Sequence, residues 1–572
     1  MSARNALAIY DRLLREPDGA EWIRDPLEAL TAWATPQAAH FEQWFLLAWD
    51  RQRAEEQSQL VEIADRARRH QFLSALELGG RPQALAWLLA AAPEQLSPEL
   101  KLQRQDLLLR FPEFERARQQ ARPLRDAFTK LIGGNETERR RTHDELVSQL
   151  AQHTAAEQRA LRELALRREP AGIVYPPIRA TPEVQRALPD KHAILAYFTA
   201  QGRTFGFLIT RQKYQVWEVG PQAKISEGVA GVLKSWYLVN AQRALSAAEA
   251  TDQRWKRRAG VLLPYLTAGA QTDFPASLSL EEITIVPDGA LWYLPFEALE
   301  CGSGAKAQPL ISVAKLRYTP TVGLAVDRID DAQPVDRTVA LFGRLASRDD
   351  EALMAETLTE FERIAPGAVG WRRPISEASA VAATVAGRVI VLDSLPLEGK
   401  DAFGWSPLGL NHGETETTVL DWLRLPWPAP REVLLPSFHT AAETALQHDS
   451  VAPDGSELFL ATTALIGAGA RTIVLARWRT GGATVADELR EFVQELPFST
   501  PAEAWQRSLL LCMRNPLDPA RERRLNWKSR EPPPRAEHPF YWAAPLLIHC
   551  GIPASQAPEV DPFAAPGAPP AE

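Results

Sequence analysis

The stretch Leu435-Pro436-Ser437-Phe438-His439-Thr440 holds a serine and a histidine two residues apart. Such a pair suits hydrolysis: the imidazole takes the hydroxyl proton as the oxygen attacks a carbonyl. On an extended chain, residues i and i+2 share a face, which would let Ser437 and His439 meet. No third group that orients the imidazole is identifiable, although Glu443 or Asp393 could serve. The competing reading gives both side chains to the backbone groups of a loop. Three cysteines offer other nucleophiles. Cys512 lies in Leu509-Leu510-Leu511-Cys512-Met513, an apolar helix face on which a cysteine serves as a small hydrophobe. Cys301 reads as a loop residue and Cys550 as the end of a strand. His412-Gly413 offers one more histidine, but no catalytic role is expected of it. The ten histidines show no HExxH or other paired spacing, and no glycine-rich phosphate loop occurs. No metal and no cofactor is expected.

The elements that must position these residues follow from periodicity. Residues 1–168 read as helical throughout, an irregular helical repeat or bundle without a clear 34-residue repeat. Thr35-Pro36 reads as a helix start, and Gly79-Gly80 as a break before another apolar helix. Later helices are expected at about 97–110, 112–131 and 136–168. Five prolines between 168 and 189 mark a change of character. His192–Thr199, Thr204–Thr210 and Tyr214–Val219 then predict a three-stranded meander, followed by helices at about 222–240 and 252–267. From about 280, apolar strands at 283–286, 339–342, 389–392, 433–435 and 473–476 alternate with helices at about 349–365, 376–386, 456–468 and 482–496. That grammar predicts a largely parallel sheet covered on both faces. The fold class is therefore multidomain, α followed by α/β. The expected divisions are 1–168, 169–279, 280–551 and a Pro/Ala-rich disordered tail at 552–572.

Four segments of the second half carry a resemblance, one of them the helix read at Thr484 to Leu496. Ile285 to Leu299 (IVPDGALWYLPFEAL) ends a buried strand in an Asp288-Gly289 turn and continues into Leu294-Pro295-Phe296. Gly467 to Trp478 (GAGARTIVLARW) passes from helix through a tight turn into a strand. His538-Pro539-Phe540-Tyr541-Trp542 opens a closing strand. Together they resemble the CHAT domain, a caspase-like α/β peptidase module related to caspases and separases. The segment around Gly79-Gly80-Arg81 resembles the helical extension of some bacterial members. The resemblance implies a catalytic Cys after one strand and a His after its neighbour. The family's Leu-Ser-Ala-Cys-Glu-Thr type of segment falls on Leu435–Thr440, which puts Phe438 at the nucleophile position. Its His-x-Ala-Thr-His-Gly type falls on Val391–Pro396, which puts Leu395 at the base position. Neither side chain can attack a carbonyl or carry a proton, so no standard catalytic residue is expected. Asp393, Ser394, Arg477, Trp478 and Arg479 would line the former cleft. Asp288, Gly289, Pro295, Phe296, His538, Pro539 and Trp542 would be structural.

Composition narrows the function classes. The chain has 572 residues, 45% hydrophobic and 24% charged, with a formal net charge of −8. That balance argues against a nucleic-acid binder. Arg139-Arg140-Arg141 lies among Glu136, Glu138, Asp144 and Glu145, as on a solvated helix face. The absence of an apolar run of membrane-span length and the sparse cysteines point to a cytoplasmic protein without a membrane span. The leading expectation is a pseudopeptidase that binds a protein or peptide, such as an active paralogue or an uncleaved substrate. An active hydrolase using Ser437 and His439, or a displaced cysteine, is the alternative. A third possibility is assembly through the N-terminal helices alone.

Overall fold

The computed structural model describes residues 3–553 except 18, 92, 94–95, 133–135, 169–171, 239–242, 271–273, 276–277, 303–306, 330–334, 343–347, 366, 372–380, 393–394, 397–407, 409–416, 441–454, 480 and 529–531. The first part is helical: α1 (Ala3–Leu13), α2 (Gly19–Arg24), α3 (Pro26–Ala34), α4 (Ala38–Asp50), α5 (Ala54–Ser74), α6 (Arg81–Ala90), α7 (Pro98–Arg110), α8 (Glu113–Leu131) and α9 (Glu136–Ala165). Asp25 caps α3 by accepting from the backbone N–H groups of Leu27 and Glu28, with Pro26 at the first helical position. Thr35 does not open a helix as expected: its N–H donates to Thr31 and closes α3, and α4 starts at Ala38. The Gly79-Gly80 break is real. Both glycines have positive φ, and a Cβ on Gly80 would stand 2.7 Å from the Leu73 side chain.

The remainder is built on one eleven-stranded sheet. In chain order its strands are β1 (His192–Ala200), β2 (Arg203–Thr210), β3 (Tyr214–Pro221), β4 (Glu282–Val286), β5 (Lys315–Tyr318), β6 (Thr338–Phe342), β7 (Val369–Trp371), β8 (Arg388–Leu392), β9 (Glu432–Leu434), β10 (Thr472–Ala476) and β11 (Pro545–His549). Their spatial order is β7-β6-β8-β9-β10-β11-β5-β4-β1-β2-β3. The block from β7 to β10 is parallel, β11 runs against β10, and β11, β5, β4 and β1 are parallel to one another. The helices after α9 are α10 (Thr181–Ala187), α11 (Gln222–Ser235), α12 (Ala247–Ala250), α13 (Arg254–Thr267), α14 (Val322–Ala325), α15 (Arg348–Ile364), α16 (Ser456–Gly467), α17 (Gly482–Glu495) and α18 (Pro501–Arg514). β4, β8, β10 and β11 are buried at every position, as continuous apolar strands covered on both faces should be. The meander β1–β3 joins this sheet directly, because β1 pairs in parallel with β4.

The helical part packs hard against the sheet. Phe45 of α4 lies 4.9 Å, centroid to centroid, from both Phe198 and Phe205. Asp65 of α5 accepts from the N–H groups of Val322 and Gly323 at 3.2 and 2.8 Å, while Arg68 donates to the Tyr197 carbonyl. Trp87 of α6 donates to Gly467 at 2.9 Å. These buried polar contacts leave the helical faces satisfied only when the sheet and its helices α14 and α16 are present.

Candidate functional site

Parallel β8, β9 and β10 lie side by side, so their carboxyl ends open along one edge, the usual place for a site in such a sheet. Beyond β8 the chain is extended again at Leu395-Pro396, and beyond β9 at Phe438-His439. These short segments pair in parallel, with Leu395 opposite Phe438 and Pro396 opposite His439. Two positions separated by 43 residues of chain thus become register partners on adjoining strands about 4.8 Å apart. Phe438 has no exposed surface. Leu395 and His439 are described through their backbones; Asp393, Ser394, His412 and Glu443 lie outside the described residues.

The premise that Ser437 and His439 share an extended strand fails. Ser437 sits inside a tight turn closed by the Phe438 N–H on the Leu435 carbonyl at 3.0 Å. It is 9% exposed. Thr440 then bonds the Arg477 carbonyl through both its N–H and its hydroxyl, anchoring the segment to the end of β10. The cysteines are free and buried. Burial pushes the Cys301 thiol up to about 11 and Cys550 to about 12, and raises Cys512 as well. All three are therefore protonated near neutrality, when a thiolate is the nucleophilic form.

The family model of the CHAT domain matches residues 259–394 and 406–551. The C-terminal half of this chain is a CHAT domain. Its match begins inside α13, ahead of residue 280, and its break starts at 395, the position opposite Phe438. Two structures of the Saccharomyces cerevisiae separase–securin complex are similar at 8% identity. At TM-scores of 0.36 and 0.33, they cover 92% and 96% of this chain. The chain spans 37% and 40% of theirs. Comparison with curated proteins gives no match. Among the described residues no helix is long and apolar enough to cross a membrane.

The CHAT motif segments meet in the core. Arg477 and Trp478 are 0% and 1% exposed, which removes them from any cleft lining. The Arg477 guanidinium donates to the carbonyls of Trp292, Ala543 and Pro545 at 3.3, 3.3 and 3.1 Å, and pairs with Glu297 at 3.5 Å. It thereby ties the opening, central and closing motifs together, and a buried cation needs such partners. Arg479 is half-buried. Asp288 accepts from the Thr199 N–H at 2.8 Å and faces Arg68 at 3.8 Å, and Gly289 takes a positive φ of 56°. Pro295 leads into the fully buried Phe296, whose N–H donates to Tyr318 Oη at 3.1 Å. The Pro539 carbonyl accepts from the Ala543 N–H at 2.9 Å, and Trp542 Nε1 donates to Glu537 at 3.2 Å. His538 stacks near Tyr237 and Trp255, and burial lowers its pKa to about 4.

Sequence reasoning missed the buried acids. Glu297 accepts from Tyr318 Oη at 2.7 Å, while Glu488 of α17 is 1% exposed and has no hydrogen bond among the described residues. Burial, and then the nearby Glu297 charge, push Glu488 well above the carboxylate range. The one available signal was a glutamate inside the apolar segment Leu294–Leu299.

Proposed function

We propose that this CHAT protein is a pseudopeptidase: it keeps the strand-end scaffold of a peptidase and acts by binding a protein or peptide. The observation that carries this reading is the direct pairing of Leu395 with Phe438. A nucleophile and a base would need those adjoining positions, and Leu and Phe supply neither electrons nor a proton carrier. The buried, protonated cysteines and the turn around Ser437 remove the support for a substitute nucleophile. Phe438 is fully buried, so the nucleophile position is filled by an apolar side chain packed in the core. The partner class is a protein or peptide, with an active paralogue or an uncleaved substrate as the specific form. Residues 1–168 act as its scaffold, and the free, sparse cysteines fit a cytoplasmic setting.

The test is a diverse peptide library incubated with the purified chain and read by mass spectrometry. Ser437→Ala, His439→Ala and a thiol-alkylated sample run beside it. No cleavage above these controls is the expected result. Cleavage lost in any one control would make the protein an enzyme and end the proposal.

A further inference from the structure

A second site lies where α7 and α8 face the CHAT domain. Arg118, Arg122 and Arg125 fall at i, i+4 and i+7 on α8, one face of the helix. Arg104 of α7 joins them around a cavity of about 350 Å³. The opposite wall is Pro426-Trp427-Pro428. Trp427 is buried, donates to Thr384 Oγ1 at 3.0 Å and packs 5.9 Å from Phe128, which makes that wall rigid.

Charge is the distinguishing feature. Four guanidiniums line the cavity against one carboxylate, Glu115, which already accepts from Gln119 at 3.4 Å. Among the described residues, the guanidiniums of Arg118, Arg122 and Arg125 have no hydrogen bond and no ion pair. Other arginines of the chain sit beside carboxylates, as in Arg68–Asp65, Arg203–Glu218 and Arg317–Glu282; here several gather on one cavity instead. Glu157 of α9 lies near Arg118, but burial holds its carboxyl at about 7, so it neutralises that charge incompletely. A row of like charges at this spacing destabilises its own helix, and a bound anion would relieve it.

We propose that this cavity binds a compact polyanion made of contiguous phosphoryl groups. The three guanidiniums of α8 span about 10 Å of helix axis, and guanidinium forks match phosphate oxygens. A linked phosphate chain puts three or four negative charges within that length. An extended acidic peptide repeats on one face only every ~7 Å and would place about two there. The cavity is also at the small end of the size range for ligand sites.

Calorimetric titration of the full chain tests this with two probes, inorganic tripolyphosphate and adenosine triphosphate. Binding of tripolyphosphate is expected. It should weaken by about a hundred-fold in Arg122→Ala/Arg125→Ala, roughly ten-fold for each charge-assisted contact removed. Arg116→Ala, on the same helix but outside the cavity, should leave it unchanged. Equal affinity for both probes assigns recognition to the phosphate chain, and tighter nucleotide binding assigns it to a nucleoside triphosphate. Arg122 and Arg125 are exposed and alanine favours helix; Arg122→Gln/Arg125→Gln repeats the test with polar side chains. Absence of binding by both probes overturns the proposal, as does binding undiminished in both double variants. Tighter binding of an oligoglutamate peptide than of tripolyphosphate would also overturn it, in favour of an acidic protein segment.

Discussion

If Leu395 and Phe438 are the register partners at the strand ends, restoring chemistry there should create a coupled pair. The perturbation is Leu395→His with Phe438→Cys, compared with Phe438→Cys alone. Parallel partners hold their side chains about 5 Å apart on one face. A thiolate and an imidazolium at that distance attract by ~3 kcal/mol at an effective dielectric of about 20. At 1.36 kcal/mol per unit, that lowers the thiol pKa by roughly 2. The single variant should titrate at or above about 8.5, because the position is apolar and fully buried. The double variant should titrate about 2 units lower, which turns a few per cent of thiolate near neutrality into a majority. Ultraviolet absorbance of the thiolate against pH reads this without any need for reagent access. The native thiols add no signal below pH 9, since Cys301 and Cys550 are held at about 11 and about 12 and Cys512 is also raised; the tyrosines contribute equally to both variants and cancel in the comparison. Equal midpoints in the two variants would refute the pairing, and with it the argument that the dyad positions are the ones lost.

Other expectations follow from the core. Phe438→Ala removes a fully buried ring and should cost ~3–5 kcal/mol in urea unfolding; a loss below about 1 kcal/mol would mean the ring fills an open cleft instead. Arg477→Ala strands Glu297 and should cost ~3–5 kcal/mol, with part regained in Arg477→Ala/Glu297→Gln; purely additive effects would sink the coupling. His538 is buried neutral, its pKa lowered by burial to about 4. The unfolded chain therefore binds this proton first as pH falls. The stability it lends is complete above about 6.5 and is lost between there and about 4. That loss amounts to ~3 kcal/mol, and replacement of His538 by Phe should flatten this part of the pH profile. His549, lowered to about 3, acts in the same direction. Residues 1–168 expressed alone should lack a cooperative unfolding transition, because α4, α5 and α6 bury their apolar and polar faces against the sheet and its helices α14 and α16.

Much of this protein was readable from its sequence, because the signals concerned are local. Apolar runs such as Ile283–Val286 and Ile473–Ala476 became buried strands, and His192–Val219 became the meander. The motif segments named the CHAT domain, and the side chains at 395 and 438 excluded the usual dyad whatever their surroundings. What the sequence did not hold was long-range. Lys315–Tyr318 was missed as a strand because Arg317 interrupts its pattern. Arg317 is tolerated there only because Glu282 of the next strand pairs with it at 2.8 Å and the His549 and Ala325 carbonyls take its other donors. Arg477 was expected at a cleft for the same reason: charge reads as exposure until a distant Glu297 and three carbonyls surround it. The meander's union with the main sheet, and the meeting of Leu395 with Phe438, rest on hydrogen-bond register between strands far apart in the chain. Periodicity says which face of a strand is buried, but only tertiary packing decides which strand lies beside it.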